Sequence, residues 1–215
     1  MSEAEEKRPR KERKENAERR RRQLLDAARR SILKHGLAKT TLATVAEEAG
    51  LSQGVAVFYF QSKGGLLIET LRDLYAGYEA HWQAALESAG PDPAARLDAV
   101  VAADFDEAAC GPAVLPLWFA FWGELHFQAR YDEVAEDFDA RRRDALSAIC
   151  RALLPDGSPR EADLIAEWID TLTDGYWQRL HLSPGGFDRA AGLSGARDCI
   201  ARLVPGVYRQ GVRRA

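Results

Sequence analysis

A chain of 215 residues, 46% of them hydrophobic and carrying a net charge of -3, is long enough to bury a sizeable core, as one large domain or as a small domain joined to a larger one. No run approaches the roughly 18 apolar residues of a membrane span, and the charged N-terminus lacks the apolar centre of a signal peptide, so the sequence reads as cytoplasmic with no membrane partner. Its three cysteines, Cys110, Cys150 and Cys199, are far apart and form no CxxC pair, which argues against zinc or redox chemistry and leaves them as small buried side chains.

Charge is unevenly placed. Up to Lys34 there are 13 Lys or Arg against seven Asp or Glu, and thereafter 17 against 26. Such a basic end is either a solvated tail or a dock for a polyanion. Residues 1–17 are expected to form a disordered basic leader, in which Arg8, Arg10, Lys11, Arg13 and Lys14 could lie along DNA.

The first credible helix spans 18–35, with Leu24, Ala27, Ala28, Ile32 and Leu33 at three-to-four spacing and Gly36 as its stop. Thr41 is placed to cap a short helix whose buried side is Leu42, Val45 and Ala46, and which ends at Glu48 and Ala49 before Gly50. Ser52 can cap a second short helix through Tyr59, and Ser62 a longer one to about Ser88. Beyond GPDP at 90–93, helical patterns cover 94–109, 113–128, 130–154, 159–182 and 187–203. Nothing alternates for long enough to suggest a strand. The expectation is an all-α protein of about nine helices: a three-helix domain over 18–65 and a larger helical domain over 66–215.

Two short helices joined by a turn at Gly50 match the helix-turn-helix arrangement, whose second helix enters the DNA major groove. Here the motif is residues 41–60. A glycine suits that turn because a helix C-terminus commonly needs positive φ. The N-terminus of the second helix would present backbone N–H groups, with Ser52 and Gln53, to phosphates and base edges, and Gly54 lets the backbone come close. Gln53 can pair bidentately with adenine, or contact a phosphate or water.

The run RRRRQLLDAARRSILKHG, followed by TTLATVAEEAGLSQGVAVFYFQSKGGLL, resembles the N-terminal DNA-binding domain of the TetR family of bacterial regulators. Members are homodimers whose C-terminal helices take up a small molecule and thereby respace their two DNA-reading heads. The resemblance implies that Thr40 or Thr41 contacts phosphate, that Gln53 and Val55 face bases, and that Tyr59 and Lys63 hold the DNA backbone. Phe58 belongs to the same DNA-facing set, whereas Phe60 belongs to the core. Val57 stands where many members carry Tyr, so the operator should differ from theirs.

Four further pieces resemble the choline-responsive BetI regulators of this family: ADFDE at 103–107, LWFAFWGELHFQARY at 117–131, RRR at 141–143 and IDTLTDGYWQRLHLSPGGFD at 169–188. These regulators control genes that make glycine betaine from choline. A quaternary ammonium has no N–H donors and is held by aromatic faces and a nearby carboxylate. Trp118, Phe121 and Trp122 share one helix face, and Trp177 follows Asp174 by three, so both kinds of group are present; Glu124 and Asp170 are reserve anions. An aromatic stripe at helical spacing is more often the mark of a packed core than of a cage. Trp168 shares a stripe with Ile165, Ile169, Leu172 and Tyr176, which puts it inside the protein or at a dimer seam.

Catalysis has little support. His35, His81, His126 and His181 are dispersed, and no HExxH, GxSxG, GxGxxG or P-loop occurs, so neither enzyme activity nor a metal or cofactor is expected. The partners expected are double-stranded operator DNA, a small effector and a second copy of the chain. Besides a choline-responsive repressor, a TetR-type repressor answering to another hydrophobic or cationic compound, for an efflux or catabolic operon, remains open.

Overall fold

A computed structural model describes residues 10–125, 129–183, 185–205 and 207, and it is helical throughout, with ten helices and no strand among them. The chain forms two compact units, residues 1–73 and 74–215. No described helix is long and apolar enough to cross a membrane.

The first unit contains α1 (Arg10–Lys39), α2 (Leu42–Glu48), α3 (Gln53–Phe60) and the start of α4 (Lys63–Ser88). α1 begins eight residues before the expected Glu18, so residues 10–17 are helical rather than disordered. That stretch is rich in Lys, Arg, Glu and Ala, strong helix formers that extend an existing helix at little cost. The first nine residues of the expected leader, Arg8 among them, lie outside the described residues. Gly36 breaks α1 with φ 78°, as its composition predicts. Leu24, Leu25, Ala27 and Ala28 of α1 pack with Val45 and Ala46 of α2, Ala56 and Phe60 of α3, and Leu66 of α4. Carboxylates surround this core: Arg21 pairs with Glu69, Arg22 and Arg29 share Asp73, and Arg30 meets Glu48 at 2.9 Å. Much of the basic segment therefore serves the fold of this unit.

The second unit adds α5 (Pro93–Asp104), α6 (Glu107–Cys110), α7 (Leu115–Leu125), α8 (Ala129–Leu153), α9 (Pro159–Leu182) and α10 (Arg189–Leu203) to the remainder of α4. Asp92, Ser158 and Asp188 cap α5, α9 and α10 by accepting backbone N–H groups at 3.1, 3.2 and 2.8 Å. The single helix expected over 94–109 is two, because the chain leaves the helix at Phe105 (φ -101°), whose ring is buried. Leu97, Val101, Leu146, Ile149, Ile165, Ile169 and Ile200 form the core. Ile165 and Ile169, whose stripe with Trp168 reads as internal or at a dimer seam, lie inside the unit together with Ile200, and Leu172 and Leu203 pack against them. The apolar residues that α9 leaves exposed are Leu164, Trp168 and Leu182; Trp168 is 51% exposed, so it does not pack internally. Cys110 and Cys150 are buried and Cys199 half-buried, all with free thiols.

Candidate nucleic-acid interface and ligand cavity

α2 and α3 are set by their ends. Thr41 and Thr44 form a reciprocal cap: Thr41 Oγ1 accepts from the Thr44 amide at 3.1 Å, and Thr44 Oγ1 accepts from the Thr41 amide at 2.9 Å. α2 stops at Ala49, and Gly50 turns the chain at φ 64°. Ser52 then starts α3 through its backbone alone; its hydroxyl makes no capping hydrogen bond. The Val55 amide is taken by the Ser52 carbonyl at 3.0 Å, and the amides of Gln53 and Gly54 are left for an outside acceptor.

The nine residues expected at DNA separate into three groups. Ser52, Gln53, Gly54 and Phe58 are exposed, and Phe58 at 78% is the most exposed large apolar residue described. Thr41, Val55, Tyr59 and Lys63 are half-buried; Val55 and Tyr59 lean on the core, and Lys63 Nζ donates to the Ala38 carbonyl at 2.6 Å. Thr40 is fully buried. Its hydroxyl donates to the Gly36 carbonyl at 3.0 Å and lies 3.2 Å from Ser31 Oγ, so of the two threonines only Thr41 can reach a phosphate.

In the second unit a cavity of about 360 Å³ is lined by Tyr75 and Tyr78 of α4, Trp118 and Trp122 of α7, Asp139, Arg142 and Arg143 of α8, and Asp170, Asp174 and Trp177 of α9. Trp118, Trp122, Trp177 and Asp174 are thus brought together, with Asp170 beside them. Phe121 is not on this wall: it is fully buried and meets Tyr131 edge-on at 5.7 Å. Neighbours three and four apart on a helix share a broad face, and here that face divides between core and cavity. Glu124, the other reserve anion, is exposed and does not line the cavity.

The three indoles are mutually packed, with centroids 6.0 Å apart for Trp118–Trp122 and Trp118–Trp177 and 6.2 Å for Trp122–Trp177. At these distances the indoles pack on one another and do not enclose a space between them. Main-chain carbonyls hold two of them: Trp118 Nε1 donates to Ala109 at 3.2 Å, and Trp177 Nε1 to Asp104 at 2.8 Å. Trp122 is the least buried of the three.

The opposite wall is ionic. Buried Arg142 donates through Nη2 to Asp104 Oδ2 at 2.7 Å and through Nε to Asp170 Oδ1 at 2.8 Å, while Tyr78 donates to Asp104 Oδ1 at 2.7 Å. The guanidinium carbon stands 5.1 Å from the Tyr78 ring centroid. Burial raises the Asp104 pKa, opposed by Arg142 and the Tyr78 hydrogen bond. Asp174 keeps accessible surface on the cavity, yet the protein packed around it and the charge of Asp170 push its pKa up to about 7. Burial and Asp170 likewise push Asp139 up to about 6. Among the described residues no group of His, Cys, Asp and Glu is arranged to hold a metal.

Residues 24–70 match the family described as "Bacterial regulatory proteins, tetR family", and residues 93–205 match "BetI-type transcriptional repressor, C-terminal". An HTH-type transcriptional regulator BetI from Burkholderia thailandensis is 40% identical over 189 residues, covering 86% of this chain and 93% of the relative. The chain belongs to the TetR family. It is a DNA-binding transcriptional repressor with a BetI-type C-terminal domain. A Burkholderia ambifaria BetI is 37% identical over 185 residues, covering 86% of this repressor and 94% of the relative. Among solved structures, a candidate transcriptional regulator from Pseudomonas aeruginosa PAO1 matches with a TM-score of 0.79 at 25% identity, covering 90% of this chain and 94% of that one. Another, from Saccharomonospora viridis in complex with choline, matches with a TM-score of 0.75 at 22% identity, covering 84% and 94%.

Sequence reading passes over Tyr75, Tyr78, Asp104, Asp139 and Arg142 of this TetR-family repressor as individual contributors. Asp104 does have a local signal: a carboxylate at the end of the apolar run AVVAAD, on a face that must be buried, needs a partner elsewhere.

Proposed function

We propose that this repressor binds an inverted-repeat operator as a homodimer, in the cytoplasm, and releases it when choline or a closely similar trimethylammonium compound occupies the cavity of the second unit. The observation carrying this reading is the pairing of aromatic faces with excess negative charge in one cavity. Asp139, Asp170 and Asp174 stand against Arg142 and Arg143, beside Trp122 and the packed indoles behind it. A cation without N–H donors gains ~0.5 to 2 kcal/mol from each aromatic face it meets, and a neighbouring carboxylate adds attraction that a neutral guest would forgo. A purely hydrophobic effector would further desolvate Asp139 and Asp174 without supplying the counter-charge that Asp170 already has in Arg142, at a cost. The choline held by the Saccharomonospora viridis protein and the BetI relatives support the same effector class, and with it control of genes converting choline to glycine betaine.

Release needs a binding preference between two states. A tenfold loss of operator affinity corresponds to about 1.4 kcal/mol, within the usual 1 to 3 kcal/mol of allosteric coupling. α4 carries Lys63 at its first position and contributes Tyr75 and Tyr78 to the cavity wall, so a ligand that displaces those tyrosines acts on the same helix that starts beside α3. Titration calorimetry with choline, paired with operator release in a mobility-shift assay, tests the proposal. Heat and release together are expected at micromolar to millimolar choline. Neither at millimolar concentration moves the effector to another hydrophobic or cationic class.

A further inference from the structure

The helix placed to read DNA carries no charge. From Gln53 to Phe60 α3 reads QGVAVFYF. Ala56 and Phe60 are buried, and Val55 and Tyr59 lean on the same core. The outward face is then Gln53, Gly54, Val57 and Phe58, residues that spacing by four stacks into two adjacent rows. Val57 is 43% exposed and Phe58 78%. The Phe58 ring meets Tyr59 edge-on, centroids 5.1 Å apart, and still presents most of its surface outward.

Within that face only Gln53 can exchange hydrogen bonds with a base edge. The remaining side chains offer apolar surface, and the major groove contains one kind of apolar group to meet it, the C5-methyl of thymine. Cytosine at such a position lacks the methyl group and offers the side chains only its C5–H, so the apolar contact is smaller. DNA is the occupant this face fits, because it continues from the N-terminal end of α3, where the Ser52 hydroxyl makes no capping hydrogen bond and is suited to a flanking phosphate.

We propose that Val57 and Phe58 read thymine C5-methyl groups, so that each operator half-site carries thymine opposite them and specificity there is apolar. The proposal rests on α3 being the helix that enters the groove. Replacing one thymine at a time by deoxyuridine removes the methyl group and leaves base pairing unchanged. With the full-length protein on a footprinted operator, affinity should fall about fourfold for each methyl group in contact, at two positions per half-site. Phe58→Ala should abolish that sensitivity at one of them, and Val57→Ala at another, with the salt dependence of binding retained. A wild-type protein that footprints normally but binds every deoxyuridine operator as tightly as its thymine parent overturns the methyl reading and leaves DNA recognition standing. So does Phe58→Ala and Val57→Ala protein that keeps full sensitivity. Absence of any footprint overturns both.

Discussion

Arg142 donates to Asp104 at 2.7 Å across 38 positions of sequence, and both side chains are buried. Replacing Arg142 by Met leaves the Asp104 carboxylate with Tyr78 and without a counter-charge. Removing one member of a buried pair typically costs ~3 to 5 kcal/mol, so urea denaturation of R142M should show a marked loss of stability. Arg142→Lys should recover little of it. An ammonium cannot span Asp104 and Asp170 with the fork that the guanidinium provides.

The cavity predicts a pH dependence. Folded Asp174 and Asp139 titrate at about 7 and about 6 against an ordinary 3.8, so between about pH 4 and 7 the native state holds more protons than the unfolded chain. For these two groups, apo-protein stability is therefore highest below about pH 4 and falls as pH rises through that window. Asp174→Asn should raise apo stability at about pH 8 by on the order of 1 to 2 kcal/mol, allowing for the carboxyl's exposure to the cavity. Cation binding runs the other way, since it favours the ionised carboxylate. Choline affinity should rise from about pH 6 to 8 with release of up to one proton, and D174N should bind weakly with a flatter profile. Calorimetry in buffers of different ionisation heat measures the proton directly.

Neighbouring threonines should behave differently. Thr40→Val removes hydrogen bonds inside the first unit and leaves Ser31 without its partner, so it should cost ~1 to 2 kcal/mol in thermal unfolding while leaving the salt slope of operator binding unchanged. Thr41→Ala removes the α2 cap, worth ~1 kcal/mol. Lys63→Ala should instead shallow the log-log salt slope by about 0.9 per half-site, the signature of one lost phosphate contact.

Leu164, Trp168 and Leu182 form the exposed apolar row of α9, the surface that a second copy would cover. Trp168→Glu should yield a folded monomer with poor operator affinity by sedimentation and mobility shift. Ile165→Glu, three residues earlier but inside the core, should unfold the second unit instead. A W168E protein that remains dimeric removes α9 from the seam.

Helix ends were the most legible part of this molecule. Thr41, Ser62 and Gly36 act through groups within a few residues of themselves, so their effect is written locally, and Ser62 Oγ indeed accepts from the Gly65 amide at 3.0 Å; the Ser52 hydroxyl, expected to cap α3, makes no such bond. The split between α5 and α6 was not visible, because Phe105 leaves the helix for packing with distant elements. Phe121 and Trp122 are adjacent in sequence and equally apolar, yet one fills the core and the other lines the cavity. Apolar periodicity marks a face turned away from solvent and does not say whether protein or a guest lies opposite. The Asp104–Arg142–Asp170 chain was hidden for a related reason: its members come from three helices, and charge complementarity over such separations leaves no local pattern.

Trp118, Trp122 and Trp177 are three of the protein's five tryptophans, and they stand within 6.2 Å of one another at the cavity. Indoles at that spacing couple electronically, so this cluster contributes a signal of its own to near-ultraviolet circular dichroism and intrinsic fluorescence, beside those of Trp82 and Trp168. The repressor consequently carries its own optical reporter. Any guest that turns Trp122 or places a charge beside it alters the spectrum, and occupancy can be followed without a label.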